Sequence, residues 1–305
     1  MNRLFFSKKY DVKKIVLRYI LFLLPFIGYG IYKNGILLYQ KDLISFLSVF
    51  KVIYLILISL GINVIIKIIF KDKMTWDIDI ISTIIISLFM PYNINYLAYV
   101  IGYILGSIIV TILLKFININ RISIIVLITL LVVYFVQGLN FLNPLEASKL
   151  YSFNTLDLLW GRTYGGIAST FIIYAFVFIM ISSIFNNYKY IIPIFGLIFY
   201  FIVSYFLIGF SYRTFTNSFA IIGLILLTVD SRSLPFSRIA SVFYGLLWGT
   251  LLAIITVYLP NPIWIFMCQI VVNILFVCVA KMSKKCYNMN DFLDKKTRGV
   301  YGLYK

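Results

Sequence analysis

The chain has 305 residues, of which 62% are hydrophobic and only 12% are charged, and its mean hydropathy is +1.01. Soluble domains carry about 25% charged residues, so this chain has too few polar side chains to cover a globule in water. Its net charge of +17 would by itself suggest a nucleic-acid partner, but the basic residues lie between long apolar runs. The composition excludes a soluble enzyme, a disordered tail and a nucleic-acid-binding module, and it predicts a polytopic protein of the lipid bilayer.

The apolar runs predict an all-α membrane protein with about ten transmembrane helices. A helix needs roughly 20 apolar residues to cross a bilayer core of about 30 Å, and unpaired peptide groups are not tolerated there. The runs show no alternating period, which argues against an outer-membrane barrel, and no cleavable signal is expected. The third and eighth segments are short. The predicted segments are 15–32, 47–70, 78–90, 96–116, 122–142, 166–186, 190–210, 217–229, 238–258 and 262–281.

The basic residues predict how these segments are oriented. With ten spans, 21 of the 27 Lys and Arg residues fall on one side and six on the other. The positive-inside rule assigns the richer side to the cytoplasm, so we expect a multi-pass protein of the cell membrane with both termini cytoplasmic. The predicted parts are a basic N-terminus (1–14), a first five-helix repeat (15–142), an outer loop (143–165), a second five-helix repeat (166–281) and a basic tail (282–305).

An internal repeat is predicted from two matching glycine motifs. A shift of 143 residues places Gly102 and Gly106 on Gly245 and Gly249, so that one G-x-x-x-G motif lies over the other. Five spans per half is an odd number, and the two halves would therefore insert in opposite orientations, as in many transport proteins. Close packing between helices is the simpler reading of each motif.

The two short segments have matching features. Each is followed by a proline, Pro91 or Pro235, and each carries an aspartate, Asp79 at the start of the third and Asp230 at the end of the eighth. Broken helices of this kind can direct their ends at a ligand. Two simpler readings stay open: Asp79 favours the helix dipole, and Asp230 pairs with Arg232.

The residue types exclude several kinds of chemistry. The chain has no histidine, so we expect neither a histidine-ligated haem nor a zinc site. Its cysteines, Cys268, Cys278 and Cys286, form no C-x-x-C pair. The sequence contains no Walker loop and no G-x-S-x-G motif, so neither an ATPase nor a hydrolase is indicated.

The longest outer loop is a functional candidate, since long loops in otherwise short-looped proteins commonly carry function. It contains Ser152 and Thr155 and is followed by Gly165 and Gly166.

Three stretches of the chain resemble a known family of flavin-binding membrane proteins, namely the D-type membrane component of the Rnf complex and the B-type membrane component of the sodium-translocating NADH:quinone reductase. The run 223–230, followed by Pro235 and Gly245, resembles the family's G-A-x-F-M-A-T-D-P…S-P…G stretch. The run 161–170 resembles its G-x-x-P-G-S-I-G-E-T-S stretch, and the run 152–156 resembles its S-G-A-T-P-L motif.

The resemblance implies a flavin cofactor. In the family, the threonine of S-G-A-T carries FMN through a phosphodiester bond, so the resemblance implies covalent FMN at Thr155, with riboflavin as a second flavin to consider. The departures from the family pattern include Phe153 and Asn154 in place of the Gly-Ala of the attachment motif, changed residues around Asp230, and Ala168 in place of a glutamate. The cofactor-binding residues implied are Ser152, Thr155, Gly165, Gly166, Thr228 and Asp230.

Two functions are therefore expected from the sequence. The first is a subunit that relays electrons through flavin beside other membrane subunits of a redox complex, with coupling to ion translocation or extracellular electron transfer as options. The alternative is a channel or transporter for a small polar solute, of urea-channel-like architecture and without a cofactor. A purely structural subunit is the remaining reading.

Overall fold

The protein is helical throughout its regular structure in the described ranges. The computed structural model describes residues 12–70, 76–114, 119–139, 141, 159–161, 165–184, 190–209, 211, 214, 217–229, 234–235, 238–259 and 261–278, with the backbone alone for 12–16, 76–79, 182 and 184. The helices in these ranges are α1 (Val12–Ile31, continued by a π-helical turn Tyr32–Ile36 and by Leu37–Tyr39), α2 (a 3-10 turn Phe46–Phe50 and then Lys51–Phe70), α3 (Trp76–Leu88), α4 (Tyr96–Leu113), α5 (Arg121–Gln137), α6 (Ile172–Ile184), α7 (Ile191–Ile208), α8 (Ser218–Leu226, continued by a 3-10 turn Leu227–Val229), α9 (Arg238–Tyr258) and α10 (Ile263–Cys278).

These ten helices follow the ten predicted segments in order. Five helices of the described chain are long and apolar enough to cross a membrane, which agrees with the expected membrane protein. The number of crossings and the inversion of the two halves stay predictions. The five helices are Leu17–Tyr39, Phe46–Phe70, Tyr96–Leu113, Ile191–Ile208 and Arg238–Tyr258.

Helix α1 continues seven residues beyond its predicted end at residue 32. The π-helical turn Tyr32–Ile36 contains Lys33, Asn34 and Gly35, and all three are buried. Hydropathy predicts that the helix ends at the first polar residues, Lys33 and Asn34. In the structure the helix continues through these residues, and they are buried. Gly35 is required there, because a Cβ atom at this position would lie 2.7 Å from the Val49 carbonyl oxygen.

The third and eighth helices are short and central, as predicted. Helix α3 has 13 residues, and α8 has nine residues of α-helix followed by three of 3-10 helix. At a rise of 1.5 Å per residue each is about 20 Å long or less, which is shorter than a bilayer core of about 30 Å. Residues 81–92 and 218–228 are all buried. The protein therefore surrounds both short helices with longer ones.

Helices that follow one another in the chain, such as α4 and α5, run antiparallel, and several helix ends meet at one end of the bundle. The Asn95 amide donates to Gln137 Oε1 (2.8 Å), which joins the start of α4 to the end of α5. The rings of Phe89 and Phe266 lie 5.2 Å apart, which joins the end of α3 to α10. We call this the glycine-loop end, after residues 165–170, which lie there and are described below.

Large exposed aromatic side chains are concentrated at the glycine-loop end. Apart from Trp160, which lies outside these helices, they lie at or near the ends of α1, α5, α7 and α9 and the starts of α2, α4 and α10. Trp and Tyr are typical of the boundary between membrane and water. They are Tyr32, Tyr39, Phe46, Tyr96, Tyr134, Phe135, Trp160, Tyr205, Phe206, Tyr258 and Trp264.

The two G-x-x-x-G motifs make different contacts. Gly102 and Gly106 of α4 face Thr129 and Ile125 of the antiparallel helix α5. The second motif, Gly245 and Gly249 of α9, faces α7, which runs parallel to it and contributes the backbone of Ile192 and Gly196. Both motifs bring helix backbones close together, as the simpler reading expected, but their partners are not equivalent helices of the two halves.

Candidate functional site

The glycine loop, residues 165–170, closes the C-terminal end of the short helix α3. All six residues are buried. The Ile167 amide donates to the Met90 carbonyl (2.6 Å), and the Ala168 amide donates to the Leu88 carbonyl (3.1 Å). The last carbonyls of a helix lack partners within the helix, and leaving them unpaired in the protein interior is costly. The loop supplies those partners. The sequence predicted a sixth helix from residue 166, whereas the structure has this loop, and α6 begins at Ile172.

The π-helical turn of α1 holds the glycine loop from the other side. Asn34 Nδ2 donates to the Ile167 carbonyl. One turn earlier, Gly30 packs against Ala168 so closely that a Cβ atom at residue 30 would lie 3.0 Å from the Ala168 Cα atom. Because π-helical turns often occur at functional sites, this contact singles out the loop as the candidate site. The sequence analysis did not identify Asn34.

Gly165 and Gly166 serve the packing of the loop. A Cβ atom on Gly166 would lie 2.5 Å from the Leu88 carbonyl oxygen and 2.7 Å from the Phe89 Cα atom. A Cβ atom on Gly165 would lie 2.7 Å from Ser218 Oγ, at the start of α8. Protein atoms therefore fill the space in front of both glycines, and neither glycine leaves room for a cofactor ring at its Cα atom.

Two hydroxyl groups in the loop are suited to bind a polar ligand. Ser169 Oγ and Thr170 Oγ1 are buried and have no hydrogen-bond partner among the described residues. An unpaired buried hydroxyl costs about 1–3 kcal/mol. A water molecule or the polar edge of a ligand would remove that cost. The sequence analysis did not single out these two residues.

Four aromatic rings lie beside the glycine loop, and Phe171 is at their centre. It directly follows the loop and stacks on Tyr29 of α1, with ring centroids 4.5 Å apart and planes 20° apart. Trp160 stacks on Phe171 at 5.9 Å and 23°, and Tyr174 does so at 5.6 Å and 24°. We call these four residues the aromatic stack. A planar apolar ligand meets suitable surfaces there.

A cation–π contact stands at the same end of the bundle. Lys51 Nζ lies 5.2 Å from the ring centroid of Tyr92 and 5.3 Å from that of Tyr96. Burial raises the pKa of Tyr92 to about 12, so its phenol stays neutral at physiological pH. The contact joins the start of α2 to the connection between α3 and α4.

The short helix α8 ends at the opposite end of the bundle, where side chains pair with its last carbonyls. Asn120 Nδ2 donates to the Leu227 carbonyl (2.7 Å), and Gln269 Nε2 of α10 donates to the same oxygen (3.4 Å). Asn120 also caps α5 by accepting from the Ser123 amide (3.0 Å). The Ser123 hydroxyl in turn donates to Gln269 Oε1. These three polar residues were not identified from the sequence.

Of the predicted cofactor-binding residues that the structure describes, Gly165 and Gly166 lie in the glycine loop, and Thr228 lies far from them. Thr228 is buried at the end of α8, and its hydroxyl donates to the Ile225 carbonyl of the same helix (2.7 Å). Gly165 contacts Ser218, ten residues earlier in α8 and therefore about 15 Å away. Ser152, Thr155 and Asp230 lie outside the described residues.

A buried network of polar side chains joins α2, α3 and α4. At one level, the Tyr99 hydroxyl bonds to Ser59 and, at 3.1 Å, to Ser87. At the next level, Asn63 Nδ2 donates to Thr83 Oγ1 (2.6 Å) and to the Tyr103 hydroxyl (2.8 Å).

The sequence carried a signal for this network. Polar residues recur every four positions within apolar runs, as Ser59 and Asn63 do in α2 and as Thr83 and Ser87 do in α3. Residues four apart share one face of a helix, so the spacing predicts a buried polar stripe. In this structure the side chains pair with one another, which makes the network a packing device between three helices.

The described residues were also compared with the side-chain groups that commonly bind metal ions. Within those ranges, no group of three or more Cys, Asp or Glu side chains is placed to hold a metal ion. Cys268 is buried in α10, and Cys278 is exposed at its end.

No family model matches the chain, and no curated protein matches it.

Proposed function

We propose that this chain is an integral membrane subunit that binds flavin and relays electrons beside partner subunits of a redox complex. The proposal rests on the positions of two stretches that resemble the flavin-binding family. The run 161–170 contains the glycine loop, which closes α3, and the run 223–230 contains the buried end of α8. The likeness to flavin-binding subunits therefore falls on the two places where a short helix ends inside the protein.

The chemistry near the glycine loop supports a flavin. The ring system of a flavin has a broad apolar face and a polar edge, so it needs an aromatic surface together with a few hydrogen-bonding groups. The aromatic stack offers the first, and the buried hydroxyls of Ser169 and Thr170 offer the second. The flavin supplies the electron transfer, while the chain binds and orients it.

The proposed topology has ten crossings in two inverted halves, with both termini cytoplasmic. The 21 basic residues on one side and six on the other support this orientation. The aromatic side chains at the glycine-loop end support an interface there. The loop 143–165 then lies on the outer face, where the resemblance implies that FMN is attached to Thr155.

The test is flavin attachment to the full chain. We expect the protein, co-expressed with a flavin transferase, to give a fluorescent band on a denaturing gel. Thr155→Ala should remove the band. Thr163→Ala, which changes another threonine eight residues along the chain, should keep it.

A blank gel would exclude covalent flavin, and the absorbance spectrum of gently purified protein would then test for non-covalent flavin. If the spectrum is also blank, the redox proposal fails and solute flux into liposomes should be measured. We favour the redox subunit over the solute channel because aromatic rings fill the contact between the short helices. Phe89, which directly follows α3, stacks with Phe219 of α8 at 6.2 Å, and both are buried.

A further inference from the structure

The buried polar network of α2, α3 and α4 is built in levels. From the first level to the second, the residue number rises by four in α2 and in α4 and falls by four in α3. Four residues are about one turn of a helix, so α2 and α4 run parallel and α3 runs antiparallel to both. The first level consists of Ser59, Ser87 and Tyr99, and the second consists of Asn63, Thr83 and Tyr103.

The same step predicts a third level, and two of its residues are charged. It falls on Lys67 of α2, on residue 79 of α3, which is an aspartate, and on Ser107 of α4. Lys67 and Ser107 are both buried, with 9% and 2% of their surface exposed. Ser107 Oγ has no hydrogen-bond partner among the described residues. The register therefore places a basic residue, an acidic residue and a buried hydroxyl at one level of the bundle.

The third level lies near the end of the bundle opposite the glycine loop. Lys67 is three residues before Phe70, where α2 ends, and Asp79 is three residues after Trp76, where α3 begins. At a rise of 1.5 Å per residue, both positions are about 5 Å from the helix ends. Water at this end, which is the cytoplasmic end in the proposed topology, is about one helical turn away.

The position of Asp79 favours a partner within the bundle over the helix dipole. Stabilisation by the dipole is confined to the first turn of a helix, and Asp77, the second residue of α3, is better placed for it. Asp79 instead lies one turn before Thr83 on the same face of α3. A lysine is rarely buried unless it is paired, and the aspartate at the level of Lys67 provides the opposite charge.

We propose that Asp79, paired with Lys67 beside the Ser107 hydroxyl, is a proton-binding site. The proton comes from water at the end opposite the glycine loop and forms an O–H bond with a carboxylate oxygen of Asp79. The Lys67 ammonium keeps its own protons, so the site gains one positive charge, and release of the proton reverses the step. The Ser107 hydroxyl suits both states, because a hydroxyl can donate to a carboxylate and accept from a carboxylic acid.

The charges at the third level select a proton over other ligands. A metal cation would be repelled by the Lys67 ammonium, and an anion would be repelled by the Asp79 carboxylate. A proton needs neither a cavity nor a set of ligands. The other charged or titratable side chains that the structure describes on the helices near this end of α3 are basic or neutral, so none of them competes as an acidic proton acceptor. They are Arg18 and Tyr19 of α1, Tyr103 of α4 and Arg121 of α5.

The experiment labels the purified full chain with a hydrophobic carbodiimide, which reacts with protonated carboxyl groups. The O–H adds across a C=N bond and the acyl group then moves to nitrogen, so the adduct keeps the mass of both reactants and is located by peptide mass spectrometry. Asp79→Asn removes the site. Asp77→Asn is the matched control, because Asp77 is two residues away in the same helix and does not share that face. Lys67→Met removes the positive charge and keeps a long side chain.

We expect Asp79 to be labelled in the wild type at a rate that rises as the pH falls, and Asp77→Asn to behave in the same way. Lys67→Met should raise the rate near neutral pH about tenfold or more, because a carboxylate without its counter-ion binds a proton more readily. A rate at Asp79 that does not change with pH would overturn the proposal. So would an unlabelled Asp79 at every pH, or equal rates with and without Lys67.

A second measurement tests the pair without any reagent. Lys67→Met and Asp79→Asn each leave a buried charge without its partner, so the double variant should melt in detergent above the less stable single variant. Lys67→Met combined with Asp77→Asn should instead give additive losses. Additive losses for Lys67 and Asp79 would overturn the pair, whereas a coupled pair with an unlabelled Asp79 would mean an ion pair that only joins the helices.

The proton site and the flavin are tested independently. Neither the labelling nor the melting experiment uses flavin, so a protein without flavin would leave the proton site standing. Failure of the proton site would equally leave the redox subunit standing.

Discussion

The two short helices end inside the protein in different ways. At the end of α3, backbone amides of the glycine loop pair with the carbonyls of Leu88 and Met90. At the end of α8, the side-chain amides of Asn120 and Gln269 pair with the carbonyl of Leu227. The same physical need, which is to satisfy buried helix carbonyls, is met once by the main chain and once by side chains.

The difference teaches which substitutions each helix end tolerates. Every residue except proline has a backbone N–H donor, so most substitutions in the glycine loop keep the bonds to α3. The stability of this helix end therefore depends on whether the loop still packs against α3. A side-chain donor is lost with the residue that carries it, so the end of α8 depends on residue identity. Substitutions that add volume should damage the first, and substitutions that remove an amide should damage the second.

The largest effect is expected from Gly166→Ala. Its Cβ atom would lie 2.5 Å from the Leu88 carbonyl oxygen, so the loop must move away from α3. We expect a loss of about 2–3 kcal/mol of stability, seen as a lower melting temperature in detergent. Gly61→Ala in α2 is the control: it has nothing within 4 Å and should gain about 0.5–1 kcal/mol. Equal melting temperatures for the two variants would show that the loop does not pack as described.

Asn120→Leu should have the next largest effect. It removes the donor to Leu227 and the cap of α5, which together are worth about 1.5–3 kcal/mol. Asn120→Ser keeps an acceptor for the cap but loses the donor, so its melting temperature should fall between those of Asn120→Leu and the wild type. If the serine variant matches the wild type, the bond to Leu227 contributes nothing and the comparison of the two helix ends fails.

A smaller effect is expected from Asn34→Leu. This substitution removes the side-chain donor to Ile167, while both backbone bonds from the loop to α3 remain. We expect a loss of about 1 kcal/mol. Thermal unfolding of the two variants side by side should show Asn34→Leu to be less destabilised than Asn120→Leu. The reverse order would mean that Asn34, and not the loop backbone, secures the end of α3.

The smallest effect is expected from Thr228→Val. The hydroxyl donates to the carbonyl of Ile225 in its own helix, and valine has nearly the same shape. We expect a loss of less than about 1 kcal/mol and an unchanged flavin content, because Thr228 lies about 15 Å from the contact of Gly165 with α8. A fall in flavin absorbance at an unchanged melting temperature would instead make Thr228 a ligand of the flavin.

Helix positions could largely be predicted from the sequence, because apolar runs and flanking charges are local features. Segment 238–258 was predicted with the bounds that α9 has, and the two short helices were expected. The exceptions are polar or glycine-rich stretches that the fold buries. Lys33 and Asn34 lie inside the protein although hydropathy places them outside, and residues 166–170 lie in a loop although the predicted sixth helix begins at residue 166.

The candidate site could be predicted only in part. The glycine run was found, but its partner Asn34 precedes Ile167 by 133 residues. At the end of α8, Asn120 likewise precedes Leu227 by 107 residues. No local pattern encodes such pairs. The two G-x-x-x-G motifs give the same lesson, since identical spacing accompanies an antiparallel partner for Gly102 and a parallel partner for Gly245.

The way in which each short helix ends also sets an order of events during synthesis. Asn120 has already been made when the ribosome reaches α8, so one of the two partners of Leu227 is present before Leu227 itself. Ala168 follows Leu88 by 80 residues, and at about 5–20 residues per second the ribosome needs roughly 4–16 s to supply it. During that interval the first half of the chain carries an open helix end, which is costly in lipid. The nascent first half is therefore expected to need a protected, hydrated setting, such as the interior of the insertion machinery, until the glycine loop emerges.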